Sequence, residues 1–107
     1  MRRRFLSLLL GLPAATVAAA AARVQSAPKM RLLIKSAWGS GDPTPASFPF
    51  HHANAMADAG HDVRIFLLGE AVTLMRTVVG NAVVPVGWPP LSEALAKVVA
   101  RKIPIHV

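Results

Sequence analysis

The chain contains no cysteine and no tyrosine, and only five of its 107 residues are acidic. The lack of cysteine excludes a disulfide scaffold, a thiolate metal site, a lipid-modified cysteine and a cysteine nucleophile within this chain. The sequence also offers no paired carboxylates and no Ser-His-Asp arrangement in a supporting context. We therefore predict neither a catalytic residue nor a cofactor. What the chain has in abundance is positive charge and apolar side chains.

The positive charge is concentrated at the start of the chain. Twelve Lys and Arg residues give a formal net charge of +7, which favours an acidic partner such as nucleic acid or an anionic membrane. Four of them lie in residues 1–26, where no acid occurs: Arg2, Arg3, Arg4 and Arg23. Removing these four charges from +7 leaves +3, an ordinary value for a soluble protein. The remainder shows no basic stripe with interleaved aromatic residues, so we expect no nucleic-acid partner.

Residues 1–26 have the layout of a secretory signal peptide, in which basic residues precede an apolar run and then small residues. They resemble the twin-arginine export motif at four positions: Arg2, Arg3, Phe5 and Leu6. This pattern predicts a periplasmic or secreted protein, with cleavage after Ala22 or Ser26. An uncleaved membrane anchor and a misassigned start codon remain open alternatives. The apolar run is short and alanine-rich for a membrane span.

Residues 27–107 alternate between strand and helix patterns, which predicts an α/β domain with a parallel sheet. Short apolar runs stopped by turn residues predict strands at 29–37 and 62–68, each buried on both faces. Residues 103–107 begin a third strand. A domain of about 80 residues is marginal alone and would expose a strand edge, so we expect homo-oligomerisation or poor solubility.

Three helices are expected between these strands, over residues 44–59, 71–78 and 92–102, with a long loop at 80–90. The first would begin at Thr44 or Ser47 and end before Gly60. Its packed stripe is predicted from helical spacing to be Phe48, His52, Ala55, Met56 and Ala59. Pro49 should bend this helix, and Met56 and Met75 are expected in the core.

Three pieces of the sequence, in their order and spacing, resemble the DsrE/DsrF-like sulfur-relay family: Asp42-Pro43-Thr44, Ala59-Gly60-His61 and the run from Phe66 to Val72. The resemblance covers essentially all of residues 30–107. It implies a flavodoxin-like parallel sheet flanked by helices, assembled into trimers or hexamers. Some members carry a persulfide on a cysteine and pass it between proteins. The implied partners are copies of this chain, other DsrE-like subunits or a sulfur-carrier protein.

The family's cysteine turn would follow the strand at 103–107, but the sequence stops at Val107, which leaves the expected fold incomplete at its C-terminus. A persulfide needs a thiolate, and no Ser, Thr or Lys can replace it. The resemblance therefore implies an exported relay protein without its reactive group or, alternatively, a non-catalytic binding or assembly subunit. Three explanations remain open: a truncated gene model, a selenocysteine codon read as a stop, and a genuinely short protein.

Six residues in turns are the candidate ligand contacts: Ser40, Gly41, Asp42, Gly69, Glu70 and Trp88. Ligands of parallel sheets gather at the carboxyl ends of the strands, where the first five of these residues fall. A helix N-terminus follows the first turn and favours anions, although Asp42 would repel a phosphate. The alternatives are a purely structural turn, a helix cap at Glu70 and a packing role for Trp88. The four histidines lack ligand-like spacing, so we expect no metal site.

Overall fold

The computed structural model describes residues 28–107, so the predicted signal peptide lies outside the described residues. The elements follow one another along the chain as alternating strands and helices, as the sequence predicts. Their bounds are β1 Arg31–Ser36, α1 Pro43–Asp58, β2 Asp62–Leu67, a 3₁₀ helix Gly69–Met75, α2 Thr77–Asn81, α3 Leu91–Ala100 and β3 Ile105–His106. None of the helices in this part of the chain combines the length and the apolar character needed to cross a bilayer.

The three strands form one parallel sheet in the order β1-β2-β3, which confirms the predicted α/β class. β1 and β2 pair along their whole lengths, from Arg31 opposite Asp62 to Ser36 opposite Leu67. β3 is shorter than the predicted strand at 103–107 and pairs with β2 only at Ile105 and His106. Pro104 has no N–H to donate, although its carbonyl oxygen accepts a hydrogen bond from the Ile65 N–H at 2.9 Å.

Within residues 28–107, the helices cover only one face of the sheet. Right-handed crossovers from β1 to β2 and from β2 to β3 advance in the same direction, so both place their helices on the same side. The side chains of β2 show the result, because Val63, Ile65 and Leu67 are buried while Asp62 and Arg64 are exposed. The prediction that the strands are buried on both faces is therefore wrong for the described residues.

The hydrophobic core lies between the covered face and the helices α1 and α3. Twelve buried side chains form it: Ala46, Phe50, Ala53, Val63, Ile65, Leu67, Ala71, Leu74, Val83, Leu91, Ala94 and Val98. The α1 stripe is thus not the predicted one, because Phe50 rather than Phe48 faces the sheet and Met56 is exposed. Met75 is also exposed rather than in the core. Each large apolar side chain in this core stabilises the fold by about 1.5–3 kcal/mol.

Helix α1 begins at Pro43, before both of the predicted cap residues, Thr44 and Ser47. Asp42 is its N-cap residue and makes no side-chain cap bond, while Pro43 occupies the first turn. The Ser47 hydroxyl is buried and donates to the Pro43 carbonyl oxygen at 3.0 Å. The Thr44 hydroxyl instead accepts a hydrogen bond from the Val86 N–H at 3.0 Å. Gly60 follows the helix with φ of +92°, as the predicted left-handed residue requires.

The crossover from β2 to β3 differs most from the prediction. The expected helix at 71–78 is a 3₁₀ helix over Gly69–Met75 followed by the short α2 over Thr77–Asn81. The 3₁₀ helix and α2 pack closely against each other, since an added Cβ at Gly80 would lie 2.7 Å from the Leu74 carbonyl oxygen. The segment from residue 82 to 90 contains no strand, and Val83 is buried in the core within it.

Candidate functional site

The loop after β1 and the 3₁₀ helix after β2 meet at the carboxyl edge of the sheet. A hydrogen bond joins the ends of the two strands, because the Leu68 N–H donates to the Ser36 carbonyl oxygen at 2.9 Å. Together they enclose an open cleft of about 310 Å³, which we name the carboxyl-edge cleft. Its polar and aromatic lining residues are Trp38, Ser40, Asp42, Glu70 and Thr73. This is the position at which parallel sheets usually bind their ligands.

The floor of the cleft depends on the absence of a side chain at Gly39. An added Cβ there would lie 2.9 Å from the Glu70 Cβ and 3.0 Å from the Glu70 carbonyl oxygen. The Gly39 carbonyl oxygen also accepts a hydrogen bond from the Asp42 N–H at 3.2 Å, which closes the turn. Glycine at this position therefore allows the two loops to touch.

The electrostatics of the cleft oppose an anionic ligand. Asp42 and Glu70 both line it, so two acidic residues border the same space. The N-terminus of α1 does little to offset this negative charge. The prolines at 43 and 45 remove two of the backbone N–H groups that a helix N-terminus normally offers to an anion. Thr44 carries the N–H that remains between them. A cation or a hydroxyl-bearing molecule suits this lining better than a phosphate or a thiolate.

The structure brings together four of the six predicted contact residues: Ser40, Gly41, Asp42 and Glu70. Gly69 adjoins the cleft and takes φ of +51°, so its place is in the turn rather than in the lining. The N-cap residue of the 3₁₀ helix is Leu68, whereas Glu70 lies in its first turn, where the Glu70 carbonyl oxygen accepts a hydrogen bond from the Thr73 hydroxyl at 2.6 Å. Trp88 lies apart from the cleft, against helix α1.

Trp88 is part of an aromatic cluster on α1. Its ring centroid lies 4.8 Å from that of His51, 5.4 Å from that of Phe48 and 5.8 Å from that of His52. Phe48 and His52 stack at 5.2 Å, as expected for side chains four residues apart on a helix. His51 and His52 are neighbours in the sequence, and both of their rings contact the Trp88 indole. The sequence gives no signal that the loop bearing Trp88 folds onto α1.

A polar groove of about 100 Å³ separates α1 from α3. The Arg101 guanidinium donates to the Asn54 carbonyl oxygen at 2.8 Å and to the Asp58 carboxylate. The Asn54 side-chain amide donates to the Ala94 carbonyl oxygen at 3.0 Å, and its Oδ1 atom is buried without a hydrogen-bond partner in the described residues. These contacts join the two helices, and the sequence pattern does not reveal them.

The described residues show no assembled catalytic group. Every side-chain hydroxyl that is hydrogen-bonded in residues 28–107 has a backbone partner rather than a histidine. Within the same residues, no three His, Asp or Glu side chains come together in a way that could hold a metal ion. His61 has a structural contact, since its Nδ1 atom accepts a hydrogen bond from the Met30 N–H at 3.1 Å.

The fold and the cleft define an α/β domain built on a parallel sheet. No family model, no curated protein and no solved structure matches the chain. The α/β class therefore stands on the residues and the geometry described above. The resemblance to the DsrE/DsrF-like family remains a prediction from the sequence.

Proposed function

We propose that the chain is an exported DsrE-like subunit that supplies binding surface, rather than a reactive group, to a sulfur-relay assembly. One observation carries the proposal: the 107 residues contain no cysteine. A persulfide carrier needs a thiolate whose pKa is lowered by a cation or a helix N-terminus. The carboxyl-edge cleft offers the opposite environment, because Asp42 and Glu70 line it. A relay role then requires a thiol from outside these 107 residues.

Unpaired surface on the domain supports an assembly role. The outer edge of β1 is free along six residues in the described part of the chain, and a free strand edge can pair with another chain. Several large apolar side chains are also exposed on the loops and helices: Val78, Val84, Val86 and Val99. Assembly would remove this apolar area from water. The proposed partners are copies of this chain or other DsrE-like subunits, with a sulfur-carrier protein as the third possibility.

The location of the protein follows from the arginine-rich start of the sequence. Residues 1–26 support export by the twin-arginine route, which carries folded proteins across the membrane. Cleavage after Ala22 or Ser26 would leave a periplasmic or secreted domain. Mass spectrometry of the protein recovered from the cell envelope tests this part of the proposal. A species that retains Arg2 and Arg3 would contradict cleavage.

The binding role is tested on the full chain by light scattering and by sulfur labelling. We expect a particle larger than a monomer, and no added sulfur atom after exposure to inorganic polysulfide. The variant Val107→Cys is the positive control for labelling, because it places a thiol on an exposed residue that follows β3. A monodisperse monomer, or sulfane sulfur bound to the unmodified chain, would contradict the proposal.

A further inference from the structure

A cavity of about 360 Å³ lies at the amino edge of the sheet, at the opposite end of the strands from the carboxyl-edge cleft. We name it the amino-edge cavity. Its lining comes from the places where the chain enters the strands: residue 29 precedes β1, residue 61 precedes β2, and residues 101–104 lead from α3 into β3. The described residues therefore contribute to this cavity from all three strand entries.

Hydrogen bonds between the strand entries fix the shape of the amino-edge cavity. The Asp62 N–H donates to the Met30 carbonyl oxygen at 2.9 Å, and the Met30 N–H donates to His61 Nδ1 at 3.1 Å. Because Nδ1 is the acceptor, the neutral His61 ring carries its proton on Nε2, which is then a donor. The Ile65 N–H joins the third entry to the other two through the Pro104 carbonyl oxygen.

Lys102 has an unusual backbone conformation for a lysine. Its φ of +57° is the only positive φ of a non-glycine residue within residues 28–107, and it lies in the left-handed region that favours glycine. The Lys102 N–H donates to the Val99 carbonyl oxygen and the Ile103 N–H to that of Val98, which is the Schellman ending of a helix. Glycine is the usual residue at this position. Strained residues of this kind cluster at functional sites, and Lys102 lines the cavity.

The charge of the amino-edge cavity favours an anion. Lys29, Arg101 and Lys102 line it, against one acid among the described residues, Asp62. The Arg101 guanidinium is already paired, whereas neither lysine makes an ion pair within residues 28–107. Two ammonium groups and the His61 Nε2 proton are therefore the donors that remain. A carboxylate, sulfonate or phosphate group accepts hydrogen bonds from such donors.

The rest of the lining is apolar. Ala57, Val63, Ile103 and Pro104 contribute to it, and Val63 belongs to the hydrophobic core. Ile103 is partly buried against the same core. A bare ion such as sulfate would leave this apolar surface in water, whereas a ligand with a short hydrocarbon part would cover it.

We infer that the amino-edge cavity binds a small organic anion. The charged head of the ligand is held by Lys29, Lys102 and the His61 Nε2 proton, and its short apolar body lies on Ile103 and Pro104. Residues 1–26 carry four arginines and no acid, so that segment does not supply the anion. The inference goes beyond the proposed assembly role and does not depend on it.

Titration of the isotope-labelled full chain with three small probes, followed by nuclear magnetic resonance, tests the inference. Hexanesulfonate joins an anionic head to a short apolar chain, inorganic sulfate lacks the chain, and hexylammonium reverses the charge. We expect hexanesulfonate to shift the amide signals of His61, Lys102 and Ile103 together and to saturate them. Sulfate should bind about five-fold more weakly, and hexylammonium should leave these signals unchanged.

Two substitutions locate the charged head and test the role of the strained lysine. Lys29→Gln and Lys102→Gly should each weaken hexanesulfonate about five-fold. Lys102→Gly should also raise the melting temperature, because glycine adopts the left-handed conformation without strain. Higher stability together with weaker binding is an outcome that a purely structural role for Lys102 does not produce. Lys35→Gln is the matched control, since Lys35 is exposed near the carboxyl end of β1 and should leave affinity unchanged.

Three results would overturn the inference. The first is equal binding of hexanesulfonate and hexylammonium, or no binding of either. The second is unchanged affinity for hexanesulfonate in both Lys29→Gln and Lys102→Gly, because the ligand would then lie elsewhere. The third is sulfate that binds as tightly as hexanesulfonate, which would refute an organic ligand. A monomeric chain that binds hexanesulfonate at this cavity supports the inference and contradicts only the proposed assembly role.

Discussion

The two faces of the β-sheet come from the same two six-residue strands, yet they have opposite characters. On the covered face, Val63, Ile65 and Leu67 are almost completely buried beneath the helices. The opposite face of the same sheet, which we call the open face, carries Arg31, Leu33 and Lys35 of β1 and Arg64 of β2, all of them exposed. The direction of the chain decides this difference, because two right-handed crossovers in one direction place all helices on one side. Among the described residues, the covered face therefore holds the fold together, whereas the side chains of the open face contribute little to it.

The largest expected effect comes from removing a core side chain on the covered face. Ile65→Ala should lower the free energy of unfolding by about 3 kcal/mol, because Ile65 is fully buried and its loss leaves a cavity. Leu33→Ala on the open face is the matched control and should lower it by less than about 1 kcal/mol, since Leu33 is half exposed. Urea unfolding followed by circular dichroism measures both. Equal losses would show that the faces do not differ as described.

A second, smaller effect is expected at the carboxyl edge, where the loop after β1 touches the chain that leaves β2. Gly39→Ala should cost about 2 kcal/mol, because its Cβ would lie 2.9 Å from the Glu70 Cβ. Gly41→Ala is the control, as no heavy atom of the described residues lies within 4 Å of an added Cβ there. If both variants melt at the same temperature, the two loops are not in contact and the cleft is more open than the geometry indicates.

A third effect, of about 1 kcal/mol, is expected where α1 and α3 join above the covered face. Arg101→Met removes the hydrogen bond to the Asn54 carbonyl oxygen and the ion pair with Asp58. Lys97→Met removes only an exposed pair with Glu93 at 4.0 Å and should change stability by a few tenths of a kcal/mol. Unfolding at low and high salt separates the two contributions of Arg101. A larger loss of stability for Lys97→Met than for Arg101→Met would show that Arg101 does not supply the main polar contact between α1 and α3.

The smallest effect on stability is expected on the open face itself. Lys35→Glu should change the free energy of unfolding by less than about 0.5 kcal/mol, because the Lys35 side chain is exposed and makes no ion pair in residues 28–107. A stability loss above about 1 kcal/mol would mean that the lysine contributes to the fold, and the open face would then not be a free surface.

The order of strands and helices could be predicted because short apolar runs end at turn residues. The character of the faces was predicted wrongly, because Leu32, Leu33 and Ile34 form a continuous apolar run that is typical of strands buried on both sides. A weaker signal was present. Charged residues recur at every second or fourth position, at Arg31 and Lys35 and at Asp62 and Arg64, and such spacing places them on one face.

The position of the carboxyl-edge cleft could also be predicted, since turns after parallel strands meet at one edge. Ser40, Asp42 and Glu70 do meet there. The aromatic cluster could not be predicted, because Trp88 is far along the chain from His51 and reaches it only through the path of the loop. The choice between Phe48 and Phe50 as the core residue of α1 was ambiguous for a similar reason. Small alanines lie on several sides of that helix, so helical spacing alone does not decide it.

The most direct test of the difference between the two faces is solvent accessibility, measured by nuclear magnetic resonance on the isotope-labelled full chain with a soluble paramagnetic probe. We predict that the probe strongly broadens the side-chain signals of Leu33 and Arg64. Signals of the core residues Ile65 and Val98 should barely change. Equal broadening of the signals from the two faces would contradict the account.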